Sequence, residues 1–189
     1  MMTGVKISDV SDKQAPKVAR GPIIVSRHGR PALDRSAGPK LTWQEYRDWW
    51  ERYERGSLAE DQVPPEQLKS RVEQVDLVLS SVRPRAIETA EWATNGRTPD
   101  TNPVFNEAPL PPPRFKSRKY LPKTWNILAR TYWLRGHKLD GEGVLEARDR
   151  AAQAASVLHE AAAGKSVYLA AHGWFKRMHR RQLDRLGSV

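Results

Sequence analysis

Two histidines stand where an apolar run gives out into glycine: Arg27-His28-Gly29 follows Pro22-Ile23-Ile24-Val25-Ser26, and His172-Gly173 follows Leu169-Ala170-Ala171. A neutral imidazole attacks phosphorus without first losing a proton, and its pKa lies near physiological pH. His28 is therefore the candidate nucleophile. Phosphoryl transfer asks for in-line positioning and fixed positive charge around three equatorial oxygens. Arg27, and Arg85 in Ser80-Ser81-Val82-Arg83-Pro84-Arg85-Ala86-Ile87-Glu88-Thr89-Ala90, can each present a planar fork to two of those oxygens. His172 can donate a further hydrogen bond as charge develops. A leaving alkoxide needs a proton, and Glu107 in Phe105-Asn106-Glu107 supplies a carboxyl group that could deliver it.

The four segments, in this order from about Pro22 to about Leu183, resemble the histidine phosphatase superfamily, which includes cofactor-dependent phosphoglycerate mutases and many broad phosphatases. The resemblance implies that His28 is phosphorylated, that Arg27 and Arg85 (the Arg of Ser-Ser-x-x-x-Arg-Ala-x-x-Thr-Ala, rather than Arg83) hold phosphate, and that His172 completes the phosphate site. It implies Glu107 as the acid, and no metal or other cofactor. It also implies a phosphoglycerate mutase-like fold. Members of the family commonly have Glu or Gln after Arg-His-Gly and an Asn several residues on. Here Arg30-Pro31 follows, and Asp34 stands near the Asn position, so Arg30 and Asp34 are candidate substrate contacts at the pocket rim.

A chain of 189 residues suits one domain with a real core. Residues 1–20 are polar, lack the apolar stretch of a secretion signal, and read as a flexible N-terminal arm ahead of a domain over 21–189. No stretch approaches the roughly 18 to 20 apolar residues of a membrane span, so a cytoplasmic location is expected. Zero cysteines exclude disulfides and thiolate chemistry. The formal charge of +10 concentrates anions of any kind.

Short apolar runs alternating with helix-like segments indicate an α/β domain of three layers, with a largely parallel central sheet flanked by helices. In such sheets ligands collect beyond the carboxyl ends of the strands, where Arg27, His28, Ser80 to Arg85 and His172 all fall. Thr42 and Glu45 form a capping box opening a helix that Gly56 stops. Trp43, Tyr46, Trp50 and Tyr53 share one face of that helix and are expected to pack against the body of the protein. Pro109 to Pro113 must be an extended connector. Beyond it, basic residues alternate with aromatics in a helix whose inner face should hold Trp125, Leu128, Tyr132 and Leu134. An Ala-rich helix, Val144 to Ala163, follows an acidic entry at Asp140-Gly141-Glu142-Gly143. A further helix is expected from Trp174 to Leu186.

The expected activity is hydrolysis of a phosphomonoester or phosphoprotein through a phosphohistidine on His28, with inorganic phosphate as product. Two alternatives stand beside it. One is mutase-type phosphoryl transfer, disfavoured because the insertions typical of mutases look reduced. The other is a non-catalytic protein on the same fold that binds nucleic acid or another anionic surface, motivated by the charge and the basic aromatic segment.

Overall fold

A computed structural model describes residues 19–138 and 141–185, with the side chains of 179–181 and 183–185 outside the description. Most of the expected N-terminal arm, Asp140 of the acidic entry, the His179 side chain and Leu186 lie outside the described residues. Of the arm, Ala19 and Arg20 are described: Ala19 O accepts from Gly164 N at 2.9 Å, and Arg20 forms an antiparallel bridge with Ala163.

Among the described residues four parallel strands form the sheet, β1 (Ile23–Arg27), β2 (Leu77–Ser80), β3 (Asp100–Thr101) and β4 (Val167–Ala171), in the order β1-β4-β2-β3. The three longer strands end the apolar runs read from the sequence. The two-residue β3 carries no apolar run and could not be read that way. β4 is buried along its whole length, as a central parallel strand must be when helices cover both faces.

Alternation along β4 distributes its residues between two cores. Val167, Leu169 and Ala171 join Ala151, Ala154, Ala155, Leu158 and Phe175 on one face. Tyr168 and Ala170 join Val72, Val75, Ala90 and Ala93 on the other. The first face is covered by α5 (Val144–Ala161) and α6 (Gly173–Arg185), the second by α2 (Glu66–Val72) and α3 (Pro84–Ala93). The small alanines of α5 let the helix sit close on the sheet, and Glu146 accepts from Gly143 N at 2.7 Å to start it. Glu142 has another duty, an ion pair with Arg150 at 2.6 Å.

α1 (Trp43–Arg55) and α4 (Pro122–Leu134) form a separate aromatic module. The expected capping box is present: Thr42 N donates to Glu45 Oε2 at 2.7 Å, and Glu45 N to Thr42 Oγ1 at 3.3 Å. The buried face of α1 is Tyr46, Trp49 and Tyr53, stacked onward to Trp125 of α4 at 5.8 Å between the Tyr46 and Trp125 rings. Trp43 and Trp50 are only half-buried. On α4 the inner face is Trp125, Ala129 and Trp133, a strict four-residue step, whereas Leu134 is 48% exposed. Leu134 was expected inside; one residue past Trp133 the helix has rotated about 100° and turned it to solvent.

Trp125→Ala should therefore cost about 3–5 kcal/mol in urea denaturation, while Leu134→Ala should change stability by less than about 0.5 kcal/mol.

Candidate active site

The parallel register assembles the site. Arg27 of β1 is level with Ala171 of β4, and Ser26, Ala170 and Ser80 are level across β1, β4 and β2. Past these levels the chain presents His28 after β1, His172 after β4 and Ser81 after β2 at one edge of the sheet, Ser81 one residue short of the level of the two histidines. His28 N donates to Ala171 O at 2.9 Å, and the two imidazole centroids are 5.1 Å apart. Arg85 enters from the first turn of α3, where Pro84 at the helix start costs no hydrogen bond.

Each imidazole is oriented by a second partner. His28 Nδ1 donates to Gly29 O at 2.7 Å, which leaves the Nε2 lone pair facing the cavity. Arg85 Nε donates to that lone pair at 3.3 Å. Burial, and after it the Arg85 guanidinium, push the His28 imidazole down to about 3, so the ring is neutral and nucleophilic at any physiological pH. His172 is fully buried; Arg85 Nη2 donates to its Nδ1 at 3.4 Å, and its Nε2 lies 2.7 Å from Ser81 Oγ. Burial first, then Arg85, hold it well below its ordinary value. With Nδ1 accepting, the single proton sits on Nε2 toward Ser81. Donation from Nδ1 to an incoming anion would need Arg85 Nη2 to turn away and the ring proton to move to Nδ1, with Ser81 Oγ then donating to Nε2.

The glycines after both histidines answer a demand for space. A Cβ on Gly173 would stand 3.2 Å from Arg27 Nε, and one on Gly29 would stand 2.8 Å from Gln62 Oε1. Thr89 of the same motif links the pieces, accepting from Gly29 N at 3.0 Å and donating to Arg85 O at 2.6 Å.

Arg27, His28, Arg85, Glu107 and His172 line one cavity of about 410 Å³. Glu107 is occupied as the cap of α6: its oxygens accept from Trp174 N at 3.0 Å, Phe175 N at 2.9 Å and Ala108 N at 3.0 Å. A carboxylate has about four lone-pair positions, so one remains for a proton or a substrate hydroxyl.

Arg30 and Asp34 do not line this cavity. Gln62 clamps the Arg30 backbone, accepting from its N and donating to its O, both at 2.7 Å. That turns the side chain outward into an ion pair with Asp61. Asp34 is exposed and accepts from Ser36 N at 2.7 Å in a local turn.

The cavity gains residues that sequence reading left unassigned: Arg35 from the loop after β1, Asn126 and Arg130 from α4, and Arg177 from α6, with Trp50 and Tyr53 of α1 as an aromatic wall. Arg130 lies 4.7 Å and 5.0 Å from the Trp133 and Trp174 ring centroids. It belongs to the basic aromatic stretch noted in the sequence, but only the turn of α4 brings it to the cavity wall, where Nη2 donates to Ala108 O at 3.2 Å. Among the described residues no three His, Asp or Glu side chains are grouped as a metal ion would require, and no helix is long and apolar enough to cross a membrane.

The family model of the histidine phosphatase superfamily (branch 1) matches residues 62–187. The chain belongs to this superfamily. The matched stretch holds Arg85, Glu107 and His172; Arg27 and His28 precede it and join the site through β1. No curated protein matches the sequence. Among solved structures, the chain is similar to an open reading frame product of Mycobacterium tuberculosis at 21% identity and TM-score 0.55, covering 83% of this chain and 76% of that one. A phosphoserine phosphatase mutant from Entamoeba histolytica, in complex with phosphoserine, is 16% identical with TM-score 0.55, covering 86% and 79%. A mycobacterial glucosyl-3-phosphoglycerate phosphatase, in complex with VO3, is 22% identical with TM-score 0.54, covering 89% and 83%. These likenesses share the α/β fold.

Two outcomes follow from this geometry. Gly173→Ala should displace the Arg27 side chain by a few tenths of an ångström and lower kcat by about tenfold, given that misplacement of about 1 Å can cost 10²-fold, with thermal unfolding little changed. Between about pH 6.5 and 3 the unfolded chain holds a proton on His28 that the folded chain refuses, and His172, also held below its ordinary value, acts in the same direction. Stability from these rings is complete above the ordinary histidine pKa and is lost as pH falls, so Tm should drop over this range. In a His28→Gln variant that drop should be smaller.

Proposed function

We propose that this protein is a phosphomonoesterase working through a phosphohistidine on His28. The observation that carries the reading is the His28 Nε2 lone pair, freed by the Nδ1 hydrogen bond to Gly29 and ringed by Arg27, Arg85 and His172 in one cavity. Nε2 attacks phosphorus, and the bond from phosphorus to the leaving oxygen breaks. The leaving oxygen takes a proton from Glu107, whose one open lone-pair position is suited to carry it. Water then attacks the phosphohistidine and gives its proton back to Glu107, releasing inorganic phosphate and restoring the neutral ring. Arg27 and Arg85 stabilise the charge on the equatorial oxygens throughout. His172 joins them as a neutral donor, its proton on Nδ1 once Arg85 Nη2 has turned to the phosphoryl oxygens and Ser81 Oγ donates to Nε2.

The cavity wall supports a small substrate whose leaving group carries a second negative charge. Among the described residues five arginines, Arg27, Arg35, Arg85, Arg130 and Arg177, line it against one carboxylate, Glu107. Two of the five are spent on the transferred phosphoryl group, which leaves Arg35, Arg130 and Arg177 for the remainder of the substrate. Similar folds in a phosphoserine phosphatase and a glucosyl-3-phosphoglycerate phosphatase make anionic phosphomonoesters of that size the first compounds to try.

A panel of mono- and bis-anionic phosphomonoesters, assayed without added metal, should yield inorganic phosphate fastest from the bis-anionic members. Acid quench should trap a labelled, acid-labile phosphoenzyme that His28→Ala lacks. Arg85→Ala should lose about 10²- to 10³-fold in kcat, the usual cost of one preorganised donor. Turnover at the wild-type rate in His28→Ala would reject the mechanism.

A further inference from the structure

The Arg85 guanidinium is 1% exposed, and every one of its five N–H donors has an acceptor. Two of these bonds are long and reach the imidazoles: Nε to His28 Nε2 at 3.3 Å, and Nη2 to His172 Nδ1 at 3.4 Å. The other three are shorter and come from the last turn of α1. Nη1 donates to Tyr53 O and to Glu54 O, both at 3.1 Å, and Nη2 donates to Glu54 Oε1 at 2.6 Å. Arg85 therefore helps cap the C-terminus of α1, donating to the Glu54 carbonyl and sharing the Tyr53 carbonyl with Gly56 N, at the end where the helix dipole favours a cation.

Glu54 is 8% exposed, and its other oxygen, Oε2, lies 2.9 Å from Arg83 Nε. It does not line the cavity that holds His28. The division of labour on the Arg85 fork follows. Donors on the α1 side are occupied by strong, short bonds that a substrate does not reach. Donors on the histidine side are held only weakly and can turn from the imidazoles to phosphoryl oxygens.

We propose that Glu54 is a positioning residue of the active site, whose carboxylate and helix turn fix the plane of Arg85 so that its Nε and Nη2 donors stay aimed at the phosphoryl group beside His28. This rests on the phosphomonoesterase reading above. Without the carboxylate, Nη2 loses its shortest bond, and the guanidinium plane is held on the α1 side only by the two bonds of Nη1 to main-chain carbonyls. A displacement of about 1 Å at a donor costs up to about 10²-fold in rate.

The test is a double-mutant cycle of Glu54→Ala and Arg85→Ala, followed by phosphate release and by orthovanadate binding, with circular dichroism confirming folding. Glu54→Ala should lower kcat by about 10- to 100-fold with KM changed by less than about threefold. On the Arg85→Ala background it should have no further effect, because its influence passes through that side chain. Glu54→Gln keeps an oxygen for Arg85 but turns an amide toward Arg83, so it should fall between wild type and Glu54→Ala; it also carries the cycle if the Ala variant fails to fold. A Glu54→Ala rate within twofold of wild type, or losses that simply multiply with those of Arg85→Ala, would overturn the role of Glu54 while leaving the phosphatase reading intact. A wild-type protein that neither binds orthovanadate nor releases phosphate would instead remove that reading, and the positioning role with it.

Discussion

The in-register pairing of β4 between β1 and β2 is the constraint on which the rest depends. Parallel strands of one sheet deliver their carboxyl ends to a common edge, and here that edge receives an imidazole from each of two neighbours. Had β4 paired one residue out of step, every side chain on it would have exchanged faces. Tyr168 would then meet the alanines of α5, and His172 would leave the cavity. The burial of β4 on both faces by residues of fitted size is what forbids that slip, so the hydrophobic core and the chemistry are specified by the same five residues.

Charge is the second theme. A buried guanidinium is costly unless all its donors are matched, and Arg85 meets that condition with carbonyls from α1, the Glu54 carboxylate and two neutral imidazoles. The same cation, added to burial, keeps both histidines unprotonated. One positive side chain thus helps keep His28 neutral, spans both imidazoles and closes the end of a helix. The glycines that follow the histidines belong to the same economy of space, since Arg27 and Gln62 occupy the volume that a Cβ would need.

The aromatic module of α1 and α4 ties binding to stability. Tyr46, Trp49 and Trp125 are packed away from the cavity, while Tyr53, at the C-terminal end of the same buried face of α1, and the half-buried Trp50 form its wall. The aromatic stripe thus serves as packing and as cavity wall at once, because α1 carries aromatics on more than one face. Arg35, Arg130 and Arg177 reach the same cavity from three different elements, and this gives the site its excess of positive charge beyond what a single phosphoryl group requires.

Local signals in the amino-acid sequence were enough to identify the strands that end at Arg27, Ser80 and Ala171, the capping box at Thr42, the proline start of α3 and the alanine face of α5. They also carried the motifs around His28, Arg85, Glu107 and His172, because those features are written in neighbouring residues. Contacts between distant residues were of another kind. Nothing near Glu54 in a charged helix distinguishes it from Glu51, and nothing near Arg30 foretells that Gln62 would turn it to solvent. The capping duty of Glu107 and the turn that exposes Leu134 while burying Trp133 likewise depend on what the chain packs against. Strand order and helix docking, which bring together residues more than a hundred positions apart, decided these, since such pairings are set by the fit of whole faces and leave no mark at the residues they join.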